Sequence, residues 1–309
     1  MLSRVASHLY WLSRYLERAE NMARILDVGA SLALLSGTGD ERAAREPLII
    51  TDTLEAFAAT GVPLTPEHVA RYIAWSPDNP SSIVNCLEAS RENARAVRGS
   101  ITSEMWENIN DTWLQLVARR RAGAEPTDAA FFDWVKERSH LFRGVTFATI
   151  RRDQPYQFIR LGTFVERADN TARILSVKHA RQPSAPGGDD LTDHYRLSAV
   201  LRSVSSLEAY RDTYRDLIEP RRVAELLIFN PQLPRSLRSC FDEIERILAA
   251  LPQEAGRQAR RQAAVIRAGL AHGDLDEVLG QGLRVFLDQF LRDNNTLGSA
   301  LHAAYMEMR

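Results

Sequence analysis

Glu17-Arg-Ala-Glu-Asn-Met-Ala-Arg-Ile-Leu-Asp-Val28 is a phrase this chain uses twice, returning as Glu166-Arg-Ala-Asp-Asn-Thr-Ala-Arg-Ile-Leu-Ser-Val177. Nine of the twelve positions are identical, and Glu20/Asp169 is a conservative exchange. Recurrence at about half the chain length predicts two related halves and not a solenoid of short units. At about 100° per residue, Leu12, Tyr15, Leu16, Ala19, Met22, Ala23 and Leu26 fill one side of a helical wheel. Leu161, Phe164, Val165, Ala168, Ala172 and Leu175 do so in the second copy. Each copy therefore reads as an amphipathic helix with its apolar side on a core.

The opposite side carries Glu17, Glu20, Asn21 and Arg24 in the first copy, and Glu166, Asp169, Asn170 and Arg173 in the second. Spacings of three and four make these residues neighbours. One reading is a solvated face with ordinary ion pairs, each worth a few tenths of a kcal/mol. Against it, the same line turns apolar at both ends, at Tyr10, Val28 and Leu32 in the first copy and at Ile159 and Val177 in the second. A polar cluster bracketed in this way predicts burial between helices. A buried cluster can be a structural pin, with Arg forked onto a carboxylate, or a ligand site, and the pattern leaves both open.

Outward from these helices, caps and periodicity predict an all-α chain. A first helix spans about Ser3–Leu35 and breaks in Ser36-Gly-Thr-Gly-Asp40; Thr65-Pro66 and Asp78–Ser82 start further helices. The second of these has a stripe of Ile83, Leu87, Ala94, Val97 and Ile101. Thr102 or Ser103 opens another, and Phe131–Ile150 follows Ala122–Pro126. Asp153-Gln-Pro155 introduces the second copy, and Gln182–Asp190 is the most flexible-looking segment. Further helices are expected near Asp193–Leu217, Arg221–Phe229, Pro234–Ala250, Glu254–Ala271 and Asp274–Met308, with Asp274 and Glu277 resembling a capping box. No run alternates with period two. The expected fold is a helical bundle of two related halves, 1–152 and 153–309, sharing a core.

Apolar content of 45%, charged content of 26% and a formal charge of −1 suit a soluble globular protein with no field drawing it to nucleic acid or an anionic membrane. Lys136 and Lys178 are the only lysines among 39 basic residues, and arginine makes the better bidentate carboxylate or phosphate contact. Cys86 and Cys240 are too few for a disulfide framework and read as buried thiols. The chain contains no membrane-span-like run, and Met-Leu-Ser-Arg-Val enters a helix without the layout of a signal peptide, so a cytoplasmic location is expected. Gly-rich phosphate loops, zincin signatures and nucleophile elbows are missing. Glu137-Arg-Ser-His140 is a single Glu-x-x-His where a di-metal bundle needs two, so no metal is expected. Arg91-Glu-Asn-Ala-Arg95 is either a set of surface pairs or an anion-binding wall. Asn230-Pro-Gln-Leu-Pro-Arg-Ser236 reads as a rigid turn capping a helix.

Tyr10-Trp-Leu-Ser-Arg-Tyr-Leu-Glu-Arg-Ala-Glu-Asn21, Arg91–Arg95, Phe164-Val-Glu-Arg-Ala-Asp-Asn170 and Phe229–Ser236 together resemble the alpha-E domain family, over nearly the whole chain. The resemblance marks Glu17-Arg18 and Glu166-Arg167 as its signature and assigns no catalytic residue. It implies a circularly permuted ATP-grasp ligase as neighbour or fusion partner, often with a transglutaminase-like peptidase, and hence amide or peptide bond formation. ATP and Mg would then enter through the ligase, with no cofactor bound directly.

The leading expectation is a component of such a ligation system, holding an amino-acid- or peptide-like ligand, or the ligase itself, between the two Glu-Arg helices. Glu17 and Glu166 are the candidate bases or ammonium ligands. Arg18, Arg24, Arg167 and Arg173 would hold carboxylate or phosphate, with Asn21 and Asn170 orienting the groups and Arg91 and Arg95 as a further wall. A desolvated carboxylate among them would titrate high and serve as a base. The rival is a non-catalytic scaffold whose clusters are structural; a stand-alone transferase is a third reading, and a homo-oligomer stays open.

Overall fold

A computed structural model describes residues 1–36, 41–179, 190–252 and 254–307. Side chains at 32–36, 42–43, 178–179 and 190–193 lie outside the description, as do the expected breaks at 37–40 and 182–189. All regular elements among the described residues are helical. They are α1 (Ser3–Ser36), α2 (Glu41–Ile50), α3 (Leu54–Ala59), α4 (Pro66–Trp75), α5 (Ile83–Ala96), α6 (Ser103–Arg121), α7 (Ala129–Thr149), α8 (Gln154–His179), α9 (Asp190–Ser203), α10 (Leu207–Tyr214), α11 (Pro220–Phe229), α12 (Leu237–Ala250), α13 (Arg257–His272), α14 (Leu275–Gln281) and α15 (Leu283–Tyr305), with one 3-10 turn at Arg98–Ser100. The chain divides into two compact units, Met1–Glu166 with Tyr305–Arg309, and Arg167–Ala304. The boundary falls inside α8.

Side-chain caps set many of the helix starts. Thr65, Ser82, Thr102, Asp128 and Ser236 each accept a hydrogen bond from the backbone N–H three residues on, and Asp274 accepts from Asp276 and Glu277. Two expected long helices are instead pairs. The one over Asp193–Leu217 breaks after Ser203, where Ser205 takes φ 52° and the Ser206 N–H returns to the Leu201 carbonyl. The one over Asp274–Met308 breaks at Gly282, with φ 96°, a conformation glycine adopts without penalty. Ile101 lies beyond the end of α5, which closes at Ala96, and α2 and α3 occupy a stretch to which the sequence pattern assigned nothing.

In the first unit, α1 is the axis. Leu9, Leu12, Leu16, Ala19, Ala23 and Leu26 bury its apolar side. Helix α5 runs antiparallel to it, with His8 bonded to Asn93 and the Ser90 hydroxyl donating to the Leu12 carbonyl. Helix α7 is also antiparallel, with Lys136 on Asp27 and Arg143 on Glu17. The first part of α8 crosses α1 at Gly162. A Cβ there would collide with the Tyr10 carbonyl oxygen and Ser13 Oγ. Ser13 and Gly162 occupy equivalent positions of the two repeat copies, so the crossing brings matching points together.

In the second unit, the turn between α11 and α12 lies against the remainder of α8: the Thr171 hydroxyl donates to the Arg235 carbonyl at 2.9 Å, and Arg167 Nη1 to the Pro234 carbonyl at 3.5 Å. Asn230 Oδ1 accepts from the Gln232 and Leu233 N–H groups, which makes this turn the rigid cap the sequence predicts. The turn also reveals a second recurrence. Pro66, Pro77, Pro80, Ser82 and Cys86 return at the same spacing as Pro220, Pro231, Pro234, Ser236 and Cys240. Correspondingly α4 and α11 each have 10 residues, and α5 and α12 each have 14. These residue types and helix lengths recur at an offset of 154, against 149 for the Glu-Arg phrase.

The crossing yields a direct test. Gly162→Ala should destabilise by about 1–3 kcal/mol through overpacking. Gly144→Ala on α7, where a Cβ meets open space, should be neutral or stabilise by roughly 0.5–1 kcal/mol through helix propensity. Urea unfolding of both variants measures the difference.

Candidate functional site

The polar side of α1 is buried: Glu17, Glu20 and Asn21 are at most 1% exposed. Glu166, Arg167 and Asn170 of α8 are also buried. The solvated-face reading is thereby set aside. Two carboxylate knots form within the first unit.

The first knot centres on Glu166. Arg14 Nε and Nη2 each reach Oε2 at 2.7 Å, while Arg18 Nε reaches Oε1 at 2.6 Å and its Nη2 reaches Oε2 at 3.1 Å. One carboxylate from the second repeat copy is thus gripped by two guanidiniums from the first. Arg14 also stacks near Trp11 and donates to the Tyr10 hydroxyl, and Arg18 donates to Ser81 Oγ at 3.4 Å. Burial alone would raise the Glu166 pKa, but Arg18 and Arg14 outweigh it and hold the value down to about 2. The expectation that desolvation makes this carboxylate a base is reversed. Glu166 stays an anion and is committed to two cations.

The second knot joins α1 to α7. Arg143 spans two carboxylates, with Nη1 on Glu17 Oε2 at 2.8 Å and Nη2 on Glu20 Oε2 at 2.6 Å, and it is steadied by Ser139. Arg24 closes the other flank of Glu20 at 2.8 Å and lies 3.1 Å from His140 Nε2. The same Nε2 is 3.4 Å from Glu20 Oε1. His140 therefore belongs to the Glu20 knot. Among the described residues, no group of three or more His, Cys, Asp or Glu is arranged to hold a metal ion.

The other candidates lie elsewhere. Arg173 pairs with Asp169 one turn away, and Arg167 reaches the Pro234 carbonyl, both in the second unit. Asn170, in the same unit, has a buried Nδ2 with no hydrogen-bond partner among the described residues. Arg91 bonds Asn110 and Glu92 and lies over Trp106, whereas Arg95 makes an exposed pair with Glu92. The structure thus brings Glu17, Arg18, Arg24 and Glu166 into the two knots and leaves Arg91 and Arg95 apart from them. Arg14 and Arg143 are essential members that sequence reading did not single out. Arg14 is absent from the second copy, where Thr163 stands, and Arg143 lies far along the chain. Cys86 is buried beside the first knot, and burial pushes its thiol up to about 12, well away from nucleophile chemistry.

The match that decides the family spans residues 1–306: a predicted alpha-helical domain with a conserved ER motif, Alpha-E. The chain belongs to the Alpha-E family. It is similar to an uncharacterized protein of Mycobacterium bovis, 27% identical over 93% of this chain and 35% of the relative. It is likewise similar to one of Mycobacterium tuberculosis (strain H37Rv), 26% identical over the same shares. The chain spans about a third of the length of these relatives. No solved structure matches it. Among this chain's Glu-Arg pairs, Glu17-Arg18 and Glu166-Arg167 are the two that recur in the repeated phrase, and Glu17, Arg18 and Glu166 lie in the knots. No described helix is long and apolar enough to cross a membrane.

The depressed pKa fixes the sign of a pH effect. A carboxylate with a lowered folded-state pKa stabilises the fold fully above its ordinary value of 4.5, and that contribution is lost as pH falls from there through about 2. Glu166→Gln should cost up to roughly 3–5 kcal/mol at neutral pH by leaving two half-buried guanidiniums without their carboxylate. The gap between wild type and variant should narrow as pH falls through that window. Denaturant titrations at a series of pH values provide the check.

Proposed function

We propose that this Alpha-E chain is a non-catalytic helical module of an ATP-grasp-linked amide- or peptide-ligation system, with its Glu-Arg motif acting as a structural pin. The observation that carries the structural role is the Glu166 carboxylate, saturated by Arg14 and Arg18 and held at a pKa of about 2. A general base at neutral pH needs a free lone pair and a pKa near the working pH, and Glu166 offers neither. Glu17 is likewise held by Arg143.

The ligase association rests on the family resemblance. The relatives' greater length is in keeping with it, because this region is about a third of each of those polypeptides. ATP and Mg are assigned to the partner ligase, a circularly permuted ATP-grasp protein, on the same family resemblance.

A second reading keeps an amino-acid- or peptide-like ligand at the Glu-Arg helices, with Glu17 and Glu166 reacting and Asn21, Asn170 and the arginines binding. Within the second unit, the buried Nδ2 of Asn170, with no partner among the described residues, is the group such a ligand would fill. Reconstitution with the ATP-grasp partner separates the two. The module reading expects co-purification with the ligase, and Glu166→Gln ligating at the wild-type rate at temperatures where the variant is folded. A folded Glu166→Gln complex with its ligation rate lowered about a hundredfold or more would establish the second reading instead.

A further inference from the structure

A groove of about 550 Å³ opens in the first unit between α3, α4 and the loop that follows α6, and neither carboxylate knot contributes to it. Its floor is aromatic. Phe57 and Tyr72 meet edge to face at 5.2 Å, and Trp75 stacks on Phe131 at 5.0 Å with its indole N–H held by the Pro126 carbonyl. These rings are locked by packing and only 2–6% exposed, so the apolar surface they present is small and pre-formed.

The polar groups of the rim are not matched in the same way. Tyr72 is 6% exposed and lines the groove, yet its hydroxyl has no hydrogen-bond partner among the described residues. Burial and the nearby Asp78 carboxylate push this phenol upward, so it is a neutral donor at physiological pH. His68 donates from Nδ1 to the Pro63 carbonyl at 2.9 Å, which leaves Nε2 as an acceptor. Arg71 and Arg120 share the carboxylate of Glu125, at 3.5 and 3.9 Å, both longer than a charge-assisted hydrogen bond, and Asp78 is a second carboxylate in the lining, with no ion pair to either arginine. Both guanidiniums are at least half exposed.

The sequence builds this rim deliberately. Helix α6 ends in a left-handed turn at Gly123, φ 70°, with the Ala124 N–H on the Arg119 carbonyl and the Gly123 N–H on the Arg120 carbonyl. That turn folds Glu125 back toward Arg120.

We propose that this groove is a binding site for a carboxylate attached to a flat apolar body, the chemistry of a peptide C-terminus ending in a hydrophobic residue. The carboxylate is taken by Arg71 and Arg120, the apolar side chain lies on the Phe57, Tyr72 and Trp75 floor, and an amide N–H finds the His68 acceptor. The groove volume lies within the range for ligands of this size. The inference goes beyond the ligase association and stands or falls without it, because the purified chain alone is tested.

The experiment is calorimetric titration with N-acetylphenylalanine and with its amide, on wild type, Tyr72→Phe and the double variant Arg71→Gln/Arg120→Gln. The altered arginines are exposed and Tyr72→Phe removes one oxygen, so all three chains should fold. The site predicts saturable binding of the acid by wild type, with binding weakened about tenfold or more in the double variant and for the amide. Tyr72→Phe should give a smaller loss. Absence of saturable binding at millimolar acid, or equal affinity of wild type and the double variant, overturns the proposal.

Discussion

The grip of Arg14 and Arg18 on Glu166 is the constraint around which the first unit is organised. It ties the second copy of the Glu-Arg motif to the first, just past the point where Gly162 lets α8 approach the α1 backbone. Close approach and ion pairing depend on each other here. With a larger residue than glycine the helices separate and the guanidiniums lose their reach; without the carboxylate, two cations lie between packed helices with much of their water removed. Such a pairing adds little net stability compared with an apolar contact, because desolvation offsets much of the Coulomb gain. Its effect is on register: only one rotation and one height of α8 on α1 satisfies both guanidiniums.

The Glu17/Glu20 knot follows the same logic on the other flank. Arg143 spans two carboxylates that face α7 from neighbouring turns of α1, so it fixes α7 as Arg14 and Arg18 fix α8. Acidic residues that look like catalytic candidates in sequence thus become the anionic halves of helix-to-helix locks. The α3–α4 groove stands apart from both knots, with Tyr72, Arg71 and Arg120 among its lining residues.

Much of the fold was legible from local rules. The all-α class, the cap at Thr65, helix starts at Asp78–Ser82 and at Thr102 or Ser103, the capping turn at Asn230–Ser236, and the burial of the Glu-Arg line all follow from helical period and cap chemistry, which act over a few residues. The kinks at Ser205 and Gly282 were not legible, because the apolar pattern continues through both and only backbone conformation records the break. The site was half legible. Glu17, Arg18, Arg24 and Glu166 stood out by repetition, but their partners Arg14 and Arg143 are single occurrences whose role depends on tertiary proximity. The recurrence of Pro66, Pro77, Pro80, Ser82 and Cys86 as Pro220, Pro231, Pro234, Ser236 and Cys240 was present in the sequence all along. Turn and cap residues carry it without a run of identities.

The central claim is that Glu166 works as the anion of a helix lock. The most direct measurement is a double-mutant cycle on folding stability at neutral pH with Glu166→Gln, Arg18→Gln and the pair. The lock predicts strong non-additivity: the second substitution costs much less once the first is present, with a coupling of about 1–3 kcal/mol. Additive losses, with coupling below about 0.5 kcal/mol, would mean that the two side chains do not depend on each other and would contradict the account.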